Sequence, residues 1–167
     1  VVDTCRECRA WQKRGNEFMP SIEIQAKFNE KGECVLMFYK RNIALYVIDR
    51  AIRLSDGCEV KNKESDTLLN AYATTWVQRN GAFQILYSDG ELGLNNQTSI
   101  TELNRLGTEL RVRAPDQHAR VAEARQSMLR HVMHMIEEEL KRHNHQIPFC
   151  RLYAEALFVV NAFSFYN

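Results

Sequence analysis

Two neighbouring apolar runs constrain the fold of this chain most. "ECVLMFYK" (33–40) and "NIALYVIDRAIRL" (42–54) are rich in Val, Ile, Leu, Phe and Tyr, and only the polar link Lys40-Arg41-Asn42 separates them. Residues of this kind suit a half-buried pleated surface, so the two runs read as the strands of a hairpin. Ser55-Asp56-Gly57 reads as a turn after the second run, and "CEVKN" (58–62) as a short third strand. The chain therefore starts its folded part as an antiparallel meander.

The hydrophobic period then changes. Between Glu64 and Asn80, Leu68, Leu69, Ala71, Tyr72, Thr75, Trp76 and Val77 recur at helical spacing, and Gly81 supplies a stop. "FQILYS" (83–88) is short, apolar and bounded by turns, as a buried strand would be. Residues 97–106 predict a short helix ended by Gly107, and "TELRVRA" (108–114) alternates like a strand. Pro115-Asp116 marks the start of a long helix with Asp116 as its N-cap and Met128, Leu129, Val132, Met135, Ile136 and Leu140 as its apolar stripe. Pro148 breaks that helix, and "CRLYAEALFVVNAFSFY" predicts a last, strongly apolar one.

The order β-β-β-α-β-α-β-α-α implies an α/β domain: a mixed five-stranded sheet with helices on both faces. Residues 1–31 are polar and irregular and read as an N-terminal arm; 32–167 form the core domain. At 167 residues the chain can bury one core of its own. A formal net charge of +1 supplies no bulk field towards nucleic acid or membrane, so any such contact needs a local patch. No apolar run is long enough to span a bilayer. Five scattered cysteines, Cys5, Cys8, Cys34, Cys58 and Cys150, read as intracellular free thiols rather than a disulfide framework. A start without Met and an apolar end read as a piece of a longer polypeptide.

Taken alone, Ser88-Asp89-Gly90 in "ILYSDGEL" (85–92) has two readings: a turn that closes a strand, or a metal ligand held at the strand's end. Turn chemistry favours the first. Cys5-x-x-Cys8 is half of a zinc site and is weak evidence alone. His131 and His134 lie one turn apart on the long helix and read as surface residues. Arg111, Arg113, Arg120, Arg125 and Arg130 gather near the fifth strand and the long helix. They read equally as a phosphate-contacting face or as a solvated face balanced by Glu109, Asp116 and Glu123.

Five stretches in order give the chain a family likeness. "CRECRAWQKRG", "MFYKRNIALYVIDRAIRL", "TTWVQRNGAFQILYSDG", "APDQHARVAEARQSMLR" and "AEALFVVNAFSFYN" together resemble the catalytic core of retroviral and LTR-retrotransposon (gypsy-type) integrases, a branch of the ribonuclease-H-like fold. The resemblance implies an Asp, Asp, Glu triad on two divalent cations, Mg²⁺ or Mn²⁺, that drive in-line phosphoryl displacement on DNA. It puts the second carboxylate at Asp89 and the third at Glu123, 34 positions on, and with that offset the ligand reading of Asp89 overtakes the turn reading. The first position falls on Val35, which offers no oxygen. Glu33, two residues earlier and about 7 Å away along the strand, is the substitute ligand to consider. Asp49 reads as the end of the hairpin or as a partner of Arg50 or Arg53.

Other departures point the same way: Glu91 follows Asp89-Gly90, and the basic residue expected just beyond the glutamate is shifted to Arg125. The resemblance also implies that Cys5 and Cys8 would hold zinc only with histidines outside this sequence. It implies that Arg113, Arg120, Arg125 and Arg130 face DNA, that the core pairs as a homodimer or joins a larger assembly, and that the compartment is nuclear if the role persists. Three functions follow. The first is an integrase-like core of retroelement origin that is catalytically impaired at Val35 and acts by binding nucleic acid or within an assembly. The second is a structural subunit with no DNA role. The third is a working strand-transfer enzyme that uses Glu33.

Overall fold

The computed structural model describes residues 27–90, 92–113 and 119–163. Five strands form one sheet: β1 (Lys31–Tyr39), β2 (Asn42–Asp49), β3 (Ser55–Val60), β4 (Ile85–Ser88) and β5 (Glu109–Val112), in the spatial order β3-β2-β1-β4-β5. The first three are antiparallel neighbours, while β4 pairs parallel with β1 and β5 parallel with β4. Helix α1 begins as Ser65–Tyr72 and runs through a π-helical segment, Ala73–Val77, to Gln78–Asn80; α2 is Gln97–Arg105, α3 Arg120–Arg142 and α4 Phe149–Phe163. This is the mixed five-stranded sheet that the order of patterns predicts. Among the described residues no helix is long and apolar enough to cross a membrane.

Side chains alternate across a strand, so each face of the sheet collects its own core. Val35, Met37, Ala44, Tyr46 and Ile48 face α3 and α4, where they meet Ala122, Leu129, Met133, Leu152, Tyr153 and Ala156. Cys34, Leu45 and Val47 face the other way, onto Leu68, Tyr72 and Trp76 of α1 and Leu103 of α2. Trp76 is fully buried and stacks on Phe83 at 4.6 Å between ring centroids, while its Nε1 donates to Asn29 Oδ1 at 3.1 Å. That bond carries the folded body back to Asn29, within the segment read as an arm.

Several local expectations change. The predicted turn Ser55-Asp56-Gly57 is the beginning of β3, and the turn lies earlier, where Arg53 takes φ 62°. Asp49 decides this. Its buried carboxylate accepts from the N–H groups of Asn29 (2.9 Å), Ala51 (2.9 Å) and Ile52 (2.8 Å), and its own N–H donates to Leu54 O, so β2 stops there rather than at Leu54. Gly57 serves a close approach: a β-carbon there would overlap the Leu45 carbonyl oxygen of β2.

In α1, Thr74 Oγ1 and Thr75 Oγ1 donate to the carbonyls of Asn70 (2.8 Å) and Ala71 (2.6 Å), within the stretch where the helix widens. The stripe of α3 is rotated from the predicted one. Met128 and Met135 are exposed, and Ala122, Gln126, Leu129 and Met133 are the buried positions. Asp116 lies outside the described residues; α3 begins at Arg120 with Ala119 in the N-cap position and no side-chain cap.

At the far end, α3 is pinned to the hairpin by Glu137. Tyr39 Oη donates to Glu137 Oε2 at 2.6 Å, and Lys40 Nζ donates to the same carboxylate at 2.7 Å. Burial works to raise the Glu137 carboxyl, but the Lys40 and Tyr39 hydrogen bonds outweigh it and hold it below its ordinary 4.5. A carboxyl lowered on folding contributes stability above its unfolded pKa and loses it as pH falls through the folded one. Glu137→Gln is therefore expected to flatten the acid side of the stability–pH curve below about pH 4.5. Melting temperatures measured across the acid range check this. An acid loss equal to that of the unmodified protein would remove Glu137 from the account.

Candidate functional site

The parallel pairing of β1 with β4 builds the site. Cys34 lies opposite Ser88, so the next residues along, Val35 and Asp89, come side by side where β4 ends. Across the other ladder Ser88 lies opposite Val112, which brings Arg113 beside Asp89, and Arg113 N–H donates to Ser88 O at 2.9 Å. Helix α3 starts above this row and carries Glu123 in its first turn. Sheet register thus gathers Val35, Asp89 and Arg113 from three strand ends, and the first turn of α3 reaches the same sheet through Ala122.

Their side chains fare differently. Val35 is 4% exposed and belongs to the apolar cluster beneath α3 and α4. Asp89 is half-exposed and Glu123 is exposed. Glu33 is 2% exposed, and both of its oxygens are engaged: Oε2 accepts from Ala122 N–H at 2.9 Å, and Oε1 meets Arg113 Nη2 at 2.6 Å. Arg50 Nε lies 3.6 Å from the same carboxylate.

Ala122 is the third residue of α3, and its N–H is one that a capping side chain normally satisfies. Ala119 cannot do so. Glu33 does it from another strand, with its negative charge against the positive end of the helix.

Arg113 holds the centre. Its side chain is 8% exposed, with one nitrogen on Glu33 and Nη1 3.9 Å from Asp89 Oδ1. That Nη1 is buried and has no hydrogen-bond partner among the described residues. The guanidinium also lies 5.5 Å from the centre of the Tyr87 ring, and Arg50 lies 5.4 Å from it. The neighbouring Cys34 thiol is raised by its burial and then by the charge of Asp89, so it stays a neutral core group.

The remaining basic candidates are engaged more loosely. Arg125 Nη2 donates to Arg53 O at 2.9 Å, and Arg130 reaches Gln126 Oε1 at 3.0 Å. Arg111 pairs with Glu109 at 2.7 Å on the surface. Arg120 opens α3, and its side chain is outside the described set, as are Cys5 and Cys8. Arg113, expected on a DNA-facing surface, is instead an interior ion-pair residue, because alternation along β5 turns it under α3.

Solved structures give this arrangement a fold name. Over 77% of this chain and 81% of the other, it superposes on the catalytic core domain of BIV integrase with a TM-score of 0.66 and 11% identity. The chain has the integrase-core fold. The integrase-core likeness extends to a simian T-cell lymphotropic virus intasome in complex with the PP2A regulatory subunit B56 gamma, with a TM-score of 0.73, 13% identity and 93% of this chain covered. The chain spans 56% of that protein. No family model and no curated protein matches the sequence.

The integrase-core fold raises the question of a divalent cation, and the described residues do not suit one. Val35, where the sequence resemblance puts the first ligand, has no donor atom. Glu33, the nearest substitute, is taken up by a backbone N–H and an arginine. Among the described residues no three His, Cys, Asp or Glu side chains group to hold a metal. A guanidinium already supplies positive charge between Glu33 and Asp89. The link from Glu33 to Arg113 was missed at the level of sequence. Its one signal there is the alternation of "TELRVRA", which turns Arg111 and Arg113 to the same face.

Proposed function

We propose that this domain is an integrase-like core that no longer carries out metal-dependent phosphoryl transfer and acts by binding nucleic acid within a larger assembly. The observation that carries the reading is the fate of the first ligand position: Val35 is packed in the apolar core beside Asp89. Two-metal displacement needs a carboxylate that bridges both ions, and a buried isopropyl group contributes none. The intasome neighbour supports the assembly part, since a like fold there is part of an intasome in complex with another protein. Among the described residues, Arg125, Arg130 and Arg53, on α3 and the turn after β2, are basic groups near the site that can meet phosphate once Arg113 is engaged inside.

The test is Mg²⁺- and Mn²⁺-dependent nicking and joining of branched DNA, with Asp89→Asn as control, beside DNA affinity measured as a function of salt. The expected result is no Asp89-dependent turnover, together with binding that weakens steeply as salt rises. Turnover abolished by Asp89→Asn would overturn the reading and restore the enzyme that uses Glu33. No turnover and no salt-dependent binding would leave the purely structural subunit.

A further inference from the structure

We infer that Arg113 is a tethered cation that occupies the electrostatic place of a divalent metal, so that the site is closed to metal ions by a charge built into β5. The inference rests on the non-catalytic reading of this site and goes beyond it. It says what now neutralises the acidic groups that the integrase-core fold brings together.

Three observations converge. The guanidinium lies between two carboxylates from different strands, 2.6 Å from Glu33 and 3.9 Å from Asp89. The Arg113 side chain is nearly inaccessible, and its Nη1 is buried with no hydrogen-bond partner among the described residues, so its contact with Asp89 is one of charge. It is also fixed in place: its backbone N–H is bonded to Ser88 O, and Tyr87 lies against its planar group. A carboxylate at the end of a buried strand repels other carboxylates unless a cation lies among them. With Val35 in the first position there is one acid fewer to neutralise, and Arg113, with Arg50 3.6 Å from Glu33, supplies the positive charge without a divalent ion.

The protein is then indifferent to divalent ions where an intact metal site would depend on them. Mn²⁺ uptake, read by electron paramagnetic resonance of the free ion, tests this on the whole protein, on Arg113→Ala, and on Arg113→Ala with Asp89→Asn. The unmodified protein is expected to take up no Mn²⁺ in an Asp89-dependent way and to melt at the same temperature with and without it. Arg113→Ala is expected to melt lower, to bind Mn²⁺ about tenfold more tightly or better because a repelling charge has gone, and to recover melting temperature when the ion is added. The added Asp89→Asn change should abolish that uptake.

Asp89-dependent Mn²⁺ uptake by the unmodified protein would overturn the inference. So would a folded Arg113→Ala that binds Mn²⁺ no better than its parent. An Arg113→Ala protein that folds in neither buffer would also overturn it, since the two cations would then not be exchangeable. These outcomes separate from the functional reading: Asp89-dependent Mn²⁺ uptake without DNA turnover sinks the tethered cation alone, and absence of salt-dependent DNA binding with no such uptake sinks the nucleic-acid part of the functional reading alone.

Discussion

Glu33→Ala is expected to destabilise the domain by about 3 kcal/mol, at the lower end of the 3–5 kcal/mol typical when one partner of a buried ion pair is removed. The residue is 2% exposed, and its loss strands the Arg113 guanidinium and the Ala122 N–H together. Asp89, 3.9 Å from the same arginine, keeps the loss from being larger. Glu33→Gln should cost less, because an amide oxygen can still accept from Ala122 while only the ion pair goes. Urea unfolding of the two variants checks both the size and the order. A Glu33→Ala protein within about 1 kcal/mol of its parent, the reach of an ordinary single hydrogen bond, would mean that Glu33 does not hold α3 on the sheet. If Glu33 were a metal ligand in waiting, its removal would relieve repulsion with Asp89 and stability would rise. The sign of the effect thus separates the two roles.

Trp76→Ala is expected to cost about 3–5 kcal/mol, the range for deleting a large aromatic side chain from a closed core. Trp76 is fully buried, stacked on Phe83, and bonded through Nε1 to Asn29. Trp76→Phe keeps most of the packing and loses the Nε1 hydrogen bond, a difference of about 1 kcal/mol plus a small cavity. Chemical denaturation with a two-state fit measures both. If the two variants unfolded alike, the stacking on Phe83 would contribute nothing and the tryptophan would have to be assigned another task. A surface that stacks bases would predict the opposite pattern, with unchanged stability and weakened nucleic-acid binding. The burial of the ring argues for the core.

Much of the scaffold was legible because periodicity is a local property. Each strand and helix begins within a few residues of where its pattern does, apart from β3 and the start of α3. The misplaced element starts share a cause: a contact from elsewhere in the chain replaced a local signal. Ser55-Asp56-Gly57 has turn composition, yet Asp49 closes the link earlier and Gly57 is needed where β3 passes close to Leu45. Asp116 looks like an N-cap, yet α3 starts beyond it and borrows Glu33 as its acceptor. Met128 and Met135 fit a helical stripe by spacing but face outward, because α3 presents Ala122, Gln126, Leu129 and Met133 to the sheet.

By itself the sequence determined the meander followed by alternating helices and strands, the acid at Asp89 beyond a buried strand, the acid at Glu123 near a helix start, and the apolar side chain at Val35. These are matters of residue type and spacing, which survive without contacts. Only the tertiary structure decided what Glu33 and Arg113 do. They are 80 positions apart, Glu33 to Arg113, and nothing local relates them. The parallel ladders β1-β4 and β4-β5 bring them to one end of the sheet, where a buried charge must find an opposite charge. Register chose the partner, and the cost of desolvating an unpaired ion made the pairing obligatory.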